Sequence, residues 1–319
     1  MNPLSDATVG RLRAVTALPD PPDARYTLLE VLGEGGMGTV YRGHDTLLDR
    51  EVAVKVAHAA VGPGSAAFTE RLRAEARVLA SLEHPGIVPV HDVGVLADGR
   101  VFQVMKLVHG ETLEAALSRH PELDRRLGIL ERVADAVAFA HRRGVVHRDL
   151  KPSNIMVGDF GEVLVLDWGV AKVLGQGEAS AAAMGPAPAG MTGPGAVVGT
   201  PGFMAPEQAE AGALDQRADV YALGALLTFV LAASVATGAA PRPLRAITER
   251  CLARDPGARY VDATEVAEEI RRFRSGARVL AHREGWRERL GRGIRRYRTP
   301  IVLVVAYLAM RVLVAILGR

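Results

Sequence analysis

Between Val146 and Asn154 the chain reads Val-His-Arg-Asp-Leu-Lys-Pro-Ser-Asn, and Asp167-Trp168-Gly169 begins thirteen residues after Asn154. Transfer of a phosphoryl group needs a carboxylate beside the attacking hydroxyl and oxygen ligands for the Mg²⁺ that holds nucleotide phosphates. Asp149 suits the first task, and Asn154 and Asp167 suit the second. Chance readily supplies any one of these residues but not the ordered set.

A second constellation lies upstream. Gly33-Glu34-Gly35-Gly36-Met37-Gly38 spells G-x-G-x-x-G, and glycines let backbone N–H groups approach phosphate oxygens with no Cβ in the way. The spelling alone is shared with dinucleotide-binding folds and mimicked by surface turns. Here Thr39-Val40-Tyr41 is β-prone, so the loop joins two strands, whereas a dinucleotide fingerprint opens a helix. That context sets a nucleotide-dependent dehydrogenase aside. Lys55, in Val52-Ala53-Val54-Lys55, falls on the next strand, seventeen residues after Gly38.

The elements that must position these residues divide the chain in two. From Tyr26 to Lys106 the texture is β-rich, with short apolar runs at Thr27–Leu32, Val52–Ala57 and Val101–Leu107. One helical segment, Ala66–Leu82, interrupts it before His84-Pro85. From Leu113 onward apolar residues recur at helical spacing, notably through Leu127–His141. Val163–Leu166 reads as a short strand just before Asp167. The expected class is α+β: a small β-rich lobe followed by a larger helical one. Residues 1–25 read as a flexible leader, and the Gly/Ala/Pro-rich segment Gly175–Gly199 as a mobile surface loop.

The 319 residues can bury a substantial core, and 49% apolar with 24% charged residues describes a globular protein. Cys251 is the one cysteine, which excludes an internal disulfide and suits a reducing cytoplasm. Residues 1–25 lack the apolar stretch of a secretory signal. The net charge of +3 conceals an asymmetry. Residues 271–298 hold eleven arginines against Glu284 and Glu288, a local charge of +9, so the rest of the chain carries −6. The basic character belongs to the tail and does not argue for nucleic-acid binding by the main domain. Beside an apolar run it points towards an anionic membrane surface.

Taken together, the ordered motifs resemble the bacterial eukaryotic-like (Hanks-type) serine/threonine protein kinases, over about Tyr26 to Phe273. The resemblance implies a bilobal kinase fold, with a β-rich N-lobe and a helical C-lobe, and protein substrates phosphorylated from ATP with Mg²⁺, or Mn²⁺ in its place. Lys55 would contact the α- and β-phosphates and pair with a helix carboxylate, Glu75 being the match and Glu70 its rival. Leu32, Val40, Ala53 and Met156 would sandwich the adenine, with Met105 at the back and Gly33, Gly35 and Gly38 over the phosphates. Asp149 would orient the acceptor hydroxyl, and Lys151 would steady the γ-phosphate. The chain holds 35 arginines but only four lysines, Lys55, Lys106, Lys151 and Lys172. Two of the four fall where kinase chemistry wants a compact ammonium. Gly199–Glu207 looks like the substrate-facing loop; Thr200 would contact Asp149 and Lys151 and favour Ser/Thr acceptors. Glu207 would be buried against Arg259, and Asp219 would brace the catalytic-loop backbone. Arg148 could grip a phosphate on the activation loop, with Thr192 as the favoured autophosphorylation site.

The pattern departs from the family at Trp168, where Phe is usual, and at Lys106, where the hinge is often acidic. The span from Asp219 to Arg259 is short, which bears on substrate recognition more than on catalysis. Val220–Ala240 carries no charge, yet the resemblance makes it the central helix of the large lobe together with the segment just after that helix. Residues 274–299 read as a basic juxtamembrane linker and 300–318 as a transmembrane helix. Ile301–Leu317 is apolar except for Arg311 and would extend about 25 Å as a helix. Arg292, Arg295, Arg296 and Arg298 predict that the kinase domain lies on the cytoplasmic side. An in-plane helix is the alternative for the tail, a nucleotide-binding pseudokinase scaffold is the alternative for the whole, and a homodimer stays open.

Overall fold

Val52, Val54 and Val56 alternate with Ala53, Lys55 and Ala57, a period of two that sends one set to each face of a strand. The computed structural model describes residues 25–35, 38–60, 77–96, 98–168, 202–209, 215–232, 240–283 and 285, with 302–304, 306–307 and 310–311 near the C-terminus. In it the valine run is the middle of β3 (Arg50–Ala60). With β1 (Tyr26–Gly35), β2 (Gly38–Asp45), β4 (Val90–Val95) and β5 (Arg100–Lys106) it forms an antiparallel sheet in the order β1-β2-β3-β5-β4.

The alternation decides what each face does. Val52, Val54 and Val56 bury with Tyr26, Leu28, Tyr41, Phe102 and Val104 in the N-lobe core. Ala53 faces the other way and packs with Met105, Val88, Val40 and Leu166 against the second lobe. Lys55 shares that strand face with Ala53, so it points where the lobes meet. A bidentate ion pair, Arg25 to Asp45 at 2.9 Å for both bonds, ties the start of β1 to the end of β2.

The second lobe begins with β6 (Gly110–Thr112), α1 (Leu113–Arg119) and α2 (Leu123–His141). β6 pairs with β7 (Ile155–Gly158), and β7 with β8 (Val163–Val165), in a small antiparallel sheet. Then come α3 (Pro206–Ala209), α4 (Arg217–Ala232), α5 (Arg242–Cys251) and α6 (Ala263–Arg274). α4 is buried nearly all round, from Ala218 to Leu231. From Val220 to Ala232 it carries no charge, the mark of a core helix.

α6 starts at Asp262, whose carboxylate accepts the Thr264 and Glu265 N–H groups as an N-cap. Arg271 and Arg274 on α6 bind Glu131, Asp135 and Asp124 of α2 at 2.7–3.1 Å. Two arginines of the basic stripe are therefore neutralised inside the domain. Packing continues past α6, because Val279 is buried and Glu269 accepts the Leu280 and Ala281 N–H groups.

α4 and α5 approach closely at Gly224, where an added Cβ would collide with the Cβ of Cys251. Backbone-proximal atoms on both sides leave no flexible end to move. Gly224→Ala should lower the unfolding free energy by about 1–3 kcal/mol, read as a lower denaturant midpoint at unchanged slope.

Candidate active site

A cleft of about 1510 Å³ separates the sheet from the helical lobe. Leu32, Val40 and Ala53 line its upper side, Met105 its back, and Met156 and Leu166 its lower side. Gly33, Gly35, Gly38, Lys55, Asp149, Lys151, Asn154 and Asp167 line the same cleft. Residues anticipated from three separate motifs thus face one space.

The glycines have two different reasons. At Gly38 a Cβ would collide with the Val56 carbonyl, so glycine lets β2 lie close to β3. At Gly33 a Cβ would meet nothing within 4 Å, and at Gly35 only the Gly38 carbonyl at 3.8 Å. Those two leave open space with backbone at its edge, which suits the phosphates of a nucleotide.

The metal-ligand candidates are brought together by register. Asn154 precedes β7 and Asp167 follows β8, and Ile155 lies opposite Val165 in that antiparallel pair. The two side chains therefore share one end of the sheet, and Leu166 N–H donates to the Asn154 carbonyl at 2.8 Å. Asn154 Nδ2 donates to the Asp149 carbonyl at 2.8 Å and to Asp149 Oδ2 at 3.3 Å. That use of its nitrogen leaves Oδ1 as the atom for a cation, beside the Asp167 carboxylate. A pair of oxygen donors fits Mg²⁺, which takes one or two protein ligands and completes its shell with water and phosphate. Lys55 Nζ pairs with Asp167 Oδ1, and Lys151 Nζ lies 3.1 Å from Asp149 Oδ2.

Arg148 and Asp167 both hold left-handed backbone, with φ of 65° and 63°. Non-glycine residues stay there only when their surroundings over-determine them. For Arg148 the cause is Asp219, at the start of α4 and 1% exposed. Its carboxylate accepts the His147 N–H at 2.7 Å and the Arg148 N–H at 2.8 Å, and binds His141 Nε2 at 2.9 Å. Burial by itself would raise the Asp219 pKa; the His141 bond, the His141 and His147 charges and the His147 N–H outweigh it and hold the carboxyl below its ordinary range.

Arg259 binds Glu207 through two bonds of 2.6 and 2.8 Å, and also donates to the Ala253 and Arg217 carbonyls at 2.8 and 3.0 Å. Burial would raise the Glu207 pKa, but the guanidinium holds it low. Both structural ion sites expected from sequence, Asp219 and Glu207–Arg259, therefore form. Gln208 and His141 were not anticipated. Gln208 accepts the Ala205 N–H at 3.0 Å and donates to the Arg148 carbonyl at 2.8 Å, tying α3 to the catalytic loop. A polar residue one step after Glu207 was the only available signal. Glu75, its rival Glu70, Thr192 and Thr200 lie outside the described residues, as does the segment Gly175–Gly199.

Comparison with known proteins agrees with this geometry. The family model for the protein kinase domain matches residues 26–268. The DNA damage-responsive serine/threonine-protein kinase RqkA of Deinococcus radiodurans is 40% identical over 211 residues, covering 64% of this chain and 29% of that protein. The serine/threonine-protein kinase PrkC of Bacillus subtilis is 33% identical over 205 residues, covering 64% and 30%. PknL of Mycobacterium bovis is 37% identical over 208 residues, covering 64% and 48%. The chain belongs to the protein kinase family, among the bacterial Hanks-type serine/threonine kinases. It spans less than half the length of these relatives.

Removing Arg259 would strand a carboxylate and three carbonyls, those of Ala253, Arg217 and Arg254, that it now satisfies. Arg259→Ala should cost about 3–5 kcal/mol in urea unfolding. Glu207 and Asp219 both have folded-state pKa values below the ordinary carboxylate range. The stability they confer is complete above about pH 4–5 and is lost as pH falls through those lowered values. Unfolding measured from pH 7 to pH 3 should therefore show a steep acid limb, shallower in Arg259→Ala.

Proposed function

We propose that this chain is an ATP-dependent protein serine/threonine kinase held at a membrane surface. The observation that carries the reading is the convergence of Asp149, Lys151, Asn154, Asp167 and Lys55 on one cleft beneath the glycine loop. Asp149 orients the acceptor hydroxyl and takes its proton as the new oxygen–phosphorus bond forms. The bond from the γ-phosphorus to the β,γ-bridging oxygen breaks in the same displacement, and ADP leaves. Lys151, beside Asp149, stands where the moving γ-phosphoryl group carries its charge. Lys55 serves the α- and β-phosphates. Mg²⁺ or Mn²⁺, held by Asn154 and Asp167, would neutralise phosphate charge. A Lys two residues after Asp149 favours Ser and Thr acceptors over Tyr by family resemblance.

Regulation through Arg148 belongs to the same proposal. Its Nε is buried with no hydrogen-bond partner among the described residues, which supports a phosphate on Thr192 as the missing acceptor. A nucleotide-binding scaffold without turnover is the weaker reading, since the residues for chemistry are present and placed together.

The membrane part rests on the sequence. Among the described residues no helix is long and apolar enough to cross a membrane. Residues 302–304, 306–307 and 310–311 are helical, and Val302, Leu303, Val304, Tyr307 and Met310 are exposed there. Exposed apolar side chains on these helical residues, preceded in sequence by a basic segment, support anchoring with the kinase domain on the cytoplasmic face.

Full-length protein with radiolabelled ATP should incorporate label on Ser or Thr, with Thr192 among the sites. Asp149→Asn should lower kcat about 10²- to 10⁴-fold, and Lys55→Met should abolish detectable transfer. ATP binding without transfer by the membrane-borne protein, with generic substrates and either metal, would instead establish the scaffold. In fractionated cells the full chain should stay with membranes through a high-salt wash, whereas a chain ending before Ile301 should be released. Release of both would sink the anchor.

A further inference from the structure

Along the seam between α2 and α6, Arg271 and Arg274 are matched by Glu131, Asp135 and Asp124. Where α1 and the start of α2 line the cleft, the balance differs. Lys106, Arg119 and Arg125 stand there against Glu111 and Asp159. Arg119 Nε lies 3.2 Å from Glu111 Oε2, which cancels that carboxylate. The Glu111 side chain is 20% exposed and the Arg119 side chain 75%. The ion pair thus fixes the inner edge of the guanidinium and leaves Nη1 and Nη2 without an acceptor among the described residues. Arg125 and Lys106 are exposed, and among the described residues their side chains have no ion pair. Asp124, the acid next to Arg125, is taken by Arg274 at 3.0 and 3.1 Å.

These cations stand beside the place where an acceptor must lie. α1 packs against the short turn Pro152–Asn154, which follows Lys151 in the catalytic loop. Ser153 on that turn is exposed, lines the cleft and brings no charge of its own. Glu111, which holds Arg119, pairs with Val157 in the β6–β7 ladder. From Asn154 to Val157 the strand advances about 10 Å, the length that an extended peptide covers in about three residues.

We propose that Arg119 and Arg125 are specificity-determining residues: they select acceptor segments that carry an anionic side chain, a carboxylate or a phosphate, about three to five residues from the hydroxyl at Asp149. The outer edge of the Arg119 guanidinium offers two parallel N–H donors, the geometry that carboxylates and phosphates accept. Arg125 and Lys106 add positive charge that no neighbouring acid competes for. A basic segment meets the same charges as repulsion, because Glu111 is already paired. Exposed ion pairs are individually weak, and two together raise kcat/KM by roughly 3- to 10-fold. The inference rests on the reading of the chain as a protein kinase whose acceptor hydroxyl lies at Asp149.

The test uses the full-length protein and matched peptides with a single Ser or Thr acceptor. Two positions about three to five residues before the acceptor, or the same distance after it, are Ala, Asp, phosphoserine or Lys. The readout is kcat/KM for each peptide divided by that of its Ala parent, a ratio that does not depend on the fraction of enzyme that is folded. On one side of the acceptor the Asp or phosphoserine ratio should be roughly 3 to 10 and should fall towards 1 as salt is raised. The Lys ratio there should lie below 1. Replacing both arginines by Gln (Arg119→Gln with Arg125→Gln) should bring the anionic ratio to about 1. Replacing both by Glu should invert the preference in favour of Lys, a change that lost packing does not produce. Advantage for phosphoserine alone would identify the anion as phosphate; advantage for both would identify negative charge in general. An anionic ratio of 1 on both sides, or one that neither double variant moves, would overturn the inference. If no peptide and no generic protein takes label, the kinase reading itself fails and the inference falls with it. If the Ala parents are labelled and the anionic peptides gain nothing, the inference alone fails.

Discussion

The catalytic half of the molecule hangs on the carboxylate of Asp219. Burying a charge is costly unless it is fully hydrogen-bonded, and here three donors converge on two oxygens: the His147 and Arg148 amides and the His141 ring. Without the carboxylate those amides would lose their acceptor, and Arg148 would lose the bond at its N–H that helps hold it at φ 65°. The direction in which the chain leaves Arg148 sets where Asp149 points. One side chain at the start of α4 thus joins α2, α4 and the catalytic loop into a single unit.

Further ties spread outward from that unit. Gln208 connects the Arg148 carbonyl to the start of α3, and Glu207 beside it is clamped by Arg259, which also gathers carbonyls from residues 217 and 253. The catalytic loop therefore has a scaffold beneath it built from three distant segments. On the other side, His147 reaches the Leu166 carbonyl and the Asn154 carbonyl accepts the Leu166 N–H, so the loop and the metal turn are tied directly to each other. Rigid placement of several reacting groups is what lets a displacement reaction proceed from a bound geometry.

The N-lobe contributes by a simpler rule. In β3 the two-residue period sends the valines into the lobe's own core and Ala53 and Lys55 towards the cleft. Lys55 is thereby anchored in a strand on which adjacent side chains hold the sheet together. Gly38 permits the close approach of β2 to β3, and Gly33 and Gly35 keep the space beyond open.

Much of this was legible in the residues. Asp149, Asn154, Asp167 and Lys55 point to the proposed chemistry by type and order, because phosphoryl transfer admits few substitutes for a carboxylate, a metal-binding oxygen or a compact ammonium. The strand alternation around Lys55 and the charge-free run after Asp219 were equally readable, since local periodicity reports which face is buried. What the chain could not declare was the identity of partners remote in sequence. Lys55 pairs with Asp167, 112 residues away, and His141 with Asp219, 78 residues away. Gln208 gains its role from a carbonyl that only the folded backbone brings near. Residue type and spacing determined the chemistry; tertiary structure decided which buried polar groups satisfy one another, because hydrogen bonds act over about 3 Å and sequence separation does not measure that distance.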